Sequence, residues 1–265
     1  MVWLPSGSGY VMSVISKLIT MGASGGSSYE AYGVDWNNGG FIQKTSALRA
    51  NGGAFTMSTW FFYDVTSSGG YLYQHQINGQ FGGVYDCLEF RTAAGGDINF
   101  SITNHGGSRL MTCNTAAGVA DRGSWNHCVT SWNGTSGKFF VNGVDQTNAT
   151  FTNGTFPWTS GLRQYRVGGS SGSTMFNGAM AEFYLDDTYI DLSQASNRSK
   201  FYSGQNLPVD LGADGSKPTG AQPMVYFKLN WGNGIPNLGN NLGSTGNWTV
   251  SAGASTDGGL VTAFL

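Results

Sequence analysis

The chain has 265 residues and a formal net charge of −2; only 11% of it is charged, while 42 positions are Gly, about twice the average usage of about 7%. With 40% hydrophobic and 14% aromatic residues and no Gly-X-Y period, the composition excludes collagen-like and disordered chains, and the lack of any Lys/Arg cluster excludes the electrostatic footprint of a nucleic-acid binder. Gly costs about 1 kcal/mol against Ala inside a helix, which argues against a helical protein and for an all-β chain with many turns.

The first predicted element is a helix over residues 10–21, where Val11, Val14, Ile15, Leu18 and Ile19 recur at the spacing of one helical face and Ser8 can cap it. This stripe either packs on the protein's own sandwich or serves as a docking or trimerisation element, with Trp3, Val11, Val14, Ile15, Leu18 and Ile19 as the candidate partner-docking residues. It does not resemble a signal peptide, because no basic stretch precedes it and Lys17 interrupts it. No run reaches the roughly 18 apolar residues of a membrane span. Residues 22–28, rich in Gly and Ser, read as a linker.

From residue 34 onward, period-2 runs recur between Gly- and Asn-rich turns, the pattern of an antiparallel sandwich. Residues 41–44 form one. Phe55–Tyr63 forms another, with Phe55, Met57, Thr59 and Phe61 on one face and Thr56, Ser58, Trp60 and Phe62 on the other. Further strands are expected at 71–76, 87–92, 98–103, 125–132, 138–141, 164–167 and 180–185. Asn142-Gly143 between Val141 and Val144 is the strongest hairpin signal. After Asp191 a short helix over 192–202 is followed by Pro208, Pro218 and Pro223, then by a strand at 225–229. The remaining residues, with isolated apolar positions at Trp248, Val250, Leu260 and Val261, are expected to wrap the sandwich or meet a neighbour. The organisation is therefore an N-terminal segment (1–33), a jelly roll (34–192) and a C-terminal extension (193–265).

Chemistry is sparse. Glycoside hydrolysis needs two carboxyl groups about 5–9.5 Å apart, and Glu182 and Asp186 share a strand face, but Tyr184 holds the middle position; both acids read as solvent-facing polar residues. Cys87, Cys113 and Cys128 form no CxxC pair and read as buried reduced thiols, and alternation sets His127 on the opposite face from Cys128. No GxSxG elbow, HExxH pair or phosphate-cradling loop is present. No catalytic, cofactor or metal site is expected. Calcium stays an open alternative through the loop acids Asp64, Asp86, Asp97, Asp145, Asp186 and Asp187. Sequons at Asn99, Asn133, Asn148, Asn153, Asn197 and Asn247 read as by-products of an Asn-, Ser- and Thr-rich loop vocabulary. Trp60, Trp125 and Trp132 lie in strand patterns and are expected in the core, whereas Trp36, Trp158, Trp231 and Trp248, beside Asn, Gly or Pro, are candidate surface aromatics.

Four segments together resemble the laminin G-like domains of the concanavalin A-like lectin/glucanase superfamily. They are Phe55-Thr56-Met57-Ser58-Thr59-Trp60, the run from Trp125 to Gly134, Phe139-Phe140-Val141-Asn142-Gly143-Val144, and the run from Phe176 to Leu185, where Ala181 replaces the Asp of many relatives. The resemblance implies a two-sheet antiparallel jelly roll. Residues 201–222 with Pro223 to Phe227 are similar to an extension that accompanies such domains in bacteriophage virion proteins. That likeness implies a non-enzymatic structural protein on the particle surface, a capsid decoration (cement) protein or head fibre, made in the host cytoplasm. Its implied partners are the major capsid protein or another virion protein and further copies of itself, as in a trimer. A phage adhesin binding host-surface carbohydrate is the alternative, and a glycan hydrolase a more remote one.

Overall fold

The computed structural model describes residues 34–36, 40–48, 53–63, 69–77, 86–103, 108–148, 150–154, 156, 163–169, 176–204, 207–229 and 238–251. In chain order its strands are β1 (Val34–Asp35), β2 (Ile42–Lys44), β3 (Phe55–Tyr63), β4 (Gly69–Ile77), β5 (Asp86–Ala93), β6 (Ile98–Thr103), β7 (Arg109–Asn114) and β8 (Trp125–Trp132). They continue as β9 (Gly137–Val141), β10 (Val144–Asp145), β11 (Thr150–Phe151), β12 (Arg163–Val167), β13 (Gly178–Asp186), β14 (Val225–Phe227) and β15 (Thr249–Val250). One short helix, α1 (Ala195–Arg198), interrupts them.

Period-2 alternation sorts these strands into two antiparallel sheets. The first is seven-stranded, in the order β1-β13-β3-β8-β9-β10 with β14 also on β13; the second is eight-stranded, β11-β7-β6-β5-β4-β12-β2-β15. Phe55, Met57 and Phe61 of β3 face inward as their alternation predicts, against Phe90 and Phe100 of the second sheet. Rings form a continuous chain across the sandwich: Phe61 meets Phe90 edge-on at 6.3 Å, Phe90 meets Phe100 at 6.3 Å, and Phe100 stacks on Phe139 at 5.6 Å. Such offset and edge contacts add about 0.5–1.5 kcal/mol each beyond burial.

The Asn142-Gly143 hairpin forms as expected, with φ +48 and +77, both on the left-handed side that a type I′ turn demands. Asn142 also ties the hairpin down, because its Oδ1 accepts the His127 backbone N–H at 2.8 Å. The strand β7 escapes the alternation test: Leu110 and Met111 are adjacent and both buried, so its pattern is not period 2.

The C-terminal chain closes one side of the sandwich. β14 extends the first sheet through Tyr226↔Tyr184, and β15 extends the second through Val250↔Ile42. Between β13 and β14, residues 187–204 and 207–224 fold over the outer face of the seven-stranded sheet and build a second apolar core there. It joins Ile190, Leu192, Phe201 and Leu211 to Val129, Phe140, Tyr184 and Tyr226.

Candidate functional site

A functional surface on a β-sandwich lies on an outer sheet face or a rim, and the two outer faces here differ. On the seven-stranded sheet, alternation sends Ser58, Trp60 and Phe62 of β3 and Trp125, His127 and Val129 of β8 outward. Trp60, Trp125, Ala179 and Ala181 form a third apolar cluster, with Phe62 and Tyr202 packed against it. Tyr202, from the turn after α1, stacks on both Trp60 (6.0 Å) and His127 (5.4 Å). Gly143 allows this, since a Cβ there would meet the Tyr202 ring at 2.7 Å.

Under these rings Ser58 Oγ and His127 Nε2 share a hydrogen bond of 2.8 Å. The distance is that of a nucleophile and its base. Both side chains are buried, however, and burial holds the His127 imidazole down at about 3, far below its ordinary value. Sequence reasoning weighed Cys128 as the partner of His127 and missed Ser58; only the β3–β8 register, with Trp60↔His127 and Ser58↔Val129, brings the pair together on one face.

The acids of β13 are equally committed. The strand has a bulge between Ala181 and Tyr184, where Glu182 takes φ +50, an uncommon conformation for a residue with a side chain. Tyr226 Oη donates to Glu182 Oε2 at 2.5 Å, and the Met224 backbone N–H donates to Asp186 Oδ1 at 3.2 Å. Glu182 and Asp186 were expected to face solvent; the folded-over extension buries both instead. Burial also raises the Tyr184 hydroxyl, with the Asp186 charge adding to the effect. These groups hold the extension onto the sheet.

The eight-stranded sheet turns polar groups outward. Its register aligns one cross-strand row over every strand: Thr249, Gln43, Arg166, Gln74, Glu89, Ser101, Thr112 and Thr150. A second row runs through Tyr71, Arg91, Asn99 and Asn114. Their strand neighbours Tyr73, Phe90, Phe100, Cys113 and Val167 fill the core, so the rows lie on the face turned away from it. Arg166 is buried with its guanidinium 4.4 Å from the Phe41 ring centroid and donates from Nη2 to Gln164 Oε1 at 3.3 Å; burial lowers it to about 10. Tyr71 Oη donates to Glu89 Oε1 at 3.3 Å. Gln74 is 1% exposed, and its Oε1, like Gln43 Oε1 and Thr112 Oγ1, is buried without a hydrogen-bond partner. An unpartnered buried acceptor costs about 1–3 kcal/mol, a cost that a hydroxyl donor would remove.

The remaining sequence candidates divide cleanly. Trp36 and Trp248 are not surface aromatics, being only 3% and 5% exposed. Trp36 lies where the chain leaves β1, its ring against Gly168, whose φ of +91 and absent side chain make room for it. Trp248 enters the core just before β15 and meets Phe227 edge-on at 5.2 Å. Trp60, Trp125 and Trp132 are buried as expected, but Trp60 and Trp125 belong to the outer cluster and not to the space between the sheets. Cys113 and Cys128 are free and buried, and burial pushes the Cys113 thiol up to about 12. Trp3, Val11, Val14, Ile15, Leu18, Ile19, Trp158 and Trp231 lie outside the described residues.

Among the calcium candidates, Asp145 pairs with Lys138 at 2.8 Å and Asp97 Oδ2 accepts from Asn99 Nδ2 at 3.2 Å. Among the described residues no group of three or more His, Cys, Asp or Glu could hold a metal ion, and no helix is long and apolar enough to cross a membrane.

Among solved structures, a Bacteroides ovatus protein named for a suspected carbohydrate-binding role is similar with a TM-score of 0.54 and 16% identity, over 89% of this chain and 60% of its own. A heptameric SAP-like pentraxin from Limulus polyphemus gives 0.47 at 13% identity over 63% and 81% of the two chains. A Ruminococcus gnavus sialidase CBM40 bound to α2,3-sialyllactose gives 0.47 at 10% identity over 62% and 95%. At these identities the likeness is one of fold. No curated protein matches the chain. Residues 36–194 match the laminin G-type family model described as the concanavalin A-like lectin/glucanases superfamily, and the two-sheet antiparallel sandwich agrees with it: the chain belongs to that family.

Proposed function

We propose that this protein is a non-catalytic recognition jelly roll that binds carbohydrate through the outer face of its eight-stranded sheet and serves in adhesion. The observation that carries this reading is the cross-strand row from Thr249 to Thr112, polar at every strand it crosses, in which Gln43 Oε1, Gln74 Oε1 and Thr112 Oγ1 are buried without a hydrogen-bond partner. Saccharide hydroxyls both donate and accept, as the Gln, Asn, Ser and Thr side chains of this face do. A few convergent polar groups of this kind fix the orientation of a small ligand. The suspected carbohydrate-binding role of the similar Bacteroides ovatus protein supports the same reading. A glycan array probed with the full chain, with and without calcium, tests it: binding to a restricted set of glycans is expected, and a blank array under both conditions overturns it.

We propose further that the particle surface of a bacteriophage is its setting, as an adhesin or fibre or as a capsid decoration protein contacting the major capsid protein and copies of itself. What favours this is the extension: residues 201–222 resemble the extension that accompanies such domains in phage virion proteins, and Phe201 and Leu211 from it complete the second apolar core. The extension is thus an integral part of the domain that a virion would display. Antibody-labelled images of virions are expected to show the protein on head or tail; unlabelled particles overturn the assignment.

A further inference from the structure

Resting on the carbohydrate reading above, we infer that the ligand is a neutral oligosaccharide lying across β4, β5, β6 and β7, with the Glu89 carboxylate at the centre of its site. Across these four strands the row reads Gln74, Glu89, Ser101 and Thr112, with Arg91, Asn99 and Asn114 beside it. Gln74 is buried, but Glu89, Ser101, Thr112 and Asn99 are half-buried and Arg91 and Asn114 exposed, so a ligand reaches this part of the face directly.

The hydrogen-bonding sense of the row selects the class. Gln74 Oε1 and Thr112 Oγ1, near its two ends, are buried without partners. Between them Glu89 is fixed by the Tyr71 hydroxyl on Oε1, which leaves Oε2 as an acceptor. A carboxylate only accepts, so the middle of the row, where a ligand reaches it, asks for donors. Sugar hydroxyls supply them. A carboxylate or sulfate on the ligand offers acceptors alone and meets the Glu89 carboxylate, whereas Arg91 is exposed and lies two residues along its strand and Arg166, beside Gln74, is buried. Strands are spaced about 4.8 Å apart, so three steps span about 14 Å, room for about three pyranose rings lying along the row.

Isothermal titration of the full chain against neutral cello-, manno- and chito-oligosaccharides of increasing length, and against oligogalacturonates and sialyllactose, tests the inference. Affinity for one neutral series is expected to climb to about three rings and then level off, and the acidic ligands are expected not to bind. Glu89→Gln should weaken binding about tenfold, the effect of losing a charged acceptor, and Thr112→Val severalfold. Unchanged thermal unfolding by circular dichroism confirms that each variant folds. Neutral binding that neither substitution weakens, or a preference for the acidic ligands, overturns this inference and leaves the carbohydrate reading standing. Failure of every ligand here, together with a blank glycan array, removes both.

Discussion

Trp60 and Glu89 each point outward from a sheet of the same sandwich, and their surroundings are opposite. Trp60 lies under Tyr202 in an apolar cluster and is 1% exposed. Glu89 sits in a polar row and remains half-buried. The seven-stranded sheet carries Trp60, Trp125, Val129, Phe140, Tyr184 and Tyr226 outward, a surface that could not stay bare in water. The chain covers it with its own extension. The eight-stranded sheet carries amides, hydroxyls and a few charges outward, and such a face needs no apolar cover. The face that the protein seals for itself is structural; the polar one is the face proposed above for recognition.

The largest effect that tests this division comes from Phe201→Ala. Phe201 is 2% exposed and meets Tyr184 edge-on at 5.2 Å. Its truncation should cost about 3–5 kcal/mol in urea unfolding, whereas Ser101→Ala on the opposite face should stay within about 0.5 kcal/mol. Equal costs would break the comparison, since the extension would then be an appendage and not a second core.

A smaller effect is expected from Tyr226→Phe. It deletes only the hydroxyl that donates to Glu182 Oε2 beneath the extension. A buried carboxylate deprived of a donor costs about 1–3 kcal/mol or somewhat more, read as a shifted urea midpoint at constant slope. If the variant matches the parent, the bulge at Glu182 is held by other contacts and the clasp between β13 and β14 lies elsewhere.

Most of the strand framework was legible in the sequence because alternation and turn chemistry agree there. Phe55–Tyr63, Ile98–Thr103 and Trp125–Trp132 form over the residues expected, and Asn142-Gly143 turns as its type requires. β7 was not legible, since adjacent Leu110 and Met111 break the period, and two-residue strands such as β10 and β15 carry too few residues to show one. The burial of Trp36 and Trp248 was hidden for another reason. Neighbouring Asn and Gly suggest loops, but the chain enters and leaves the core at the sheet edges where β1 and β15 pair, and loop composition says nothing about that. The polar face was invisible because its rows are defined by register between strands distant in sequence: Gln43, Arg166 and Gln74 are neighbours only once β2, β12 and β4 pair. The sealing of Glu182 and Asp186 likewise depends on the extension's path, which no periodicity encodes.

Acid titration gives the finest test of the sealed face. His127 lies wholly buried between Trp60 and Tyr202 with its folded-state value held at about 3 by burial, whereas in the unfolded chain it titrates near about 6.5. Between those values the unfolded state binds a proton that the native state excludes. Stability from this group is therefore fully present above about 6.5 and declines as pH falls towards 3, by at most about 1.4 kcal/mol for each unit. His127→Gln keeps a polar group near Ser58 and does not titrate. Acids held below the usual carboxylate range, such as Asp145 and Asp210, contribute alike to both chains and cancel in the difference. Urea unfolding of the two proteins at pH 7, 6, 5 and 4 should thus show parent and variant converging, or crossing, as pH falls. Parallel curves would mean that the imidazole takes up a proton inside the folded protein, which requires water beneath Tyr202 and a face that is not sealed.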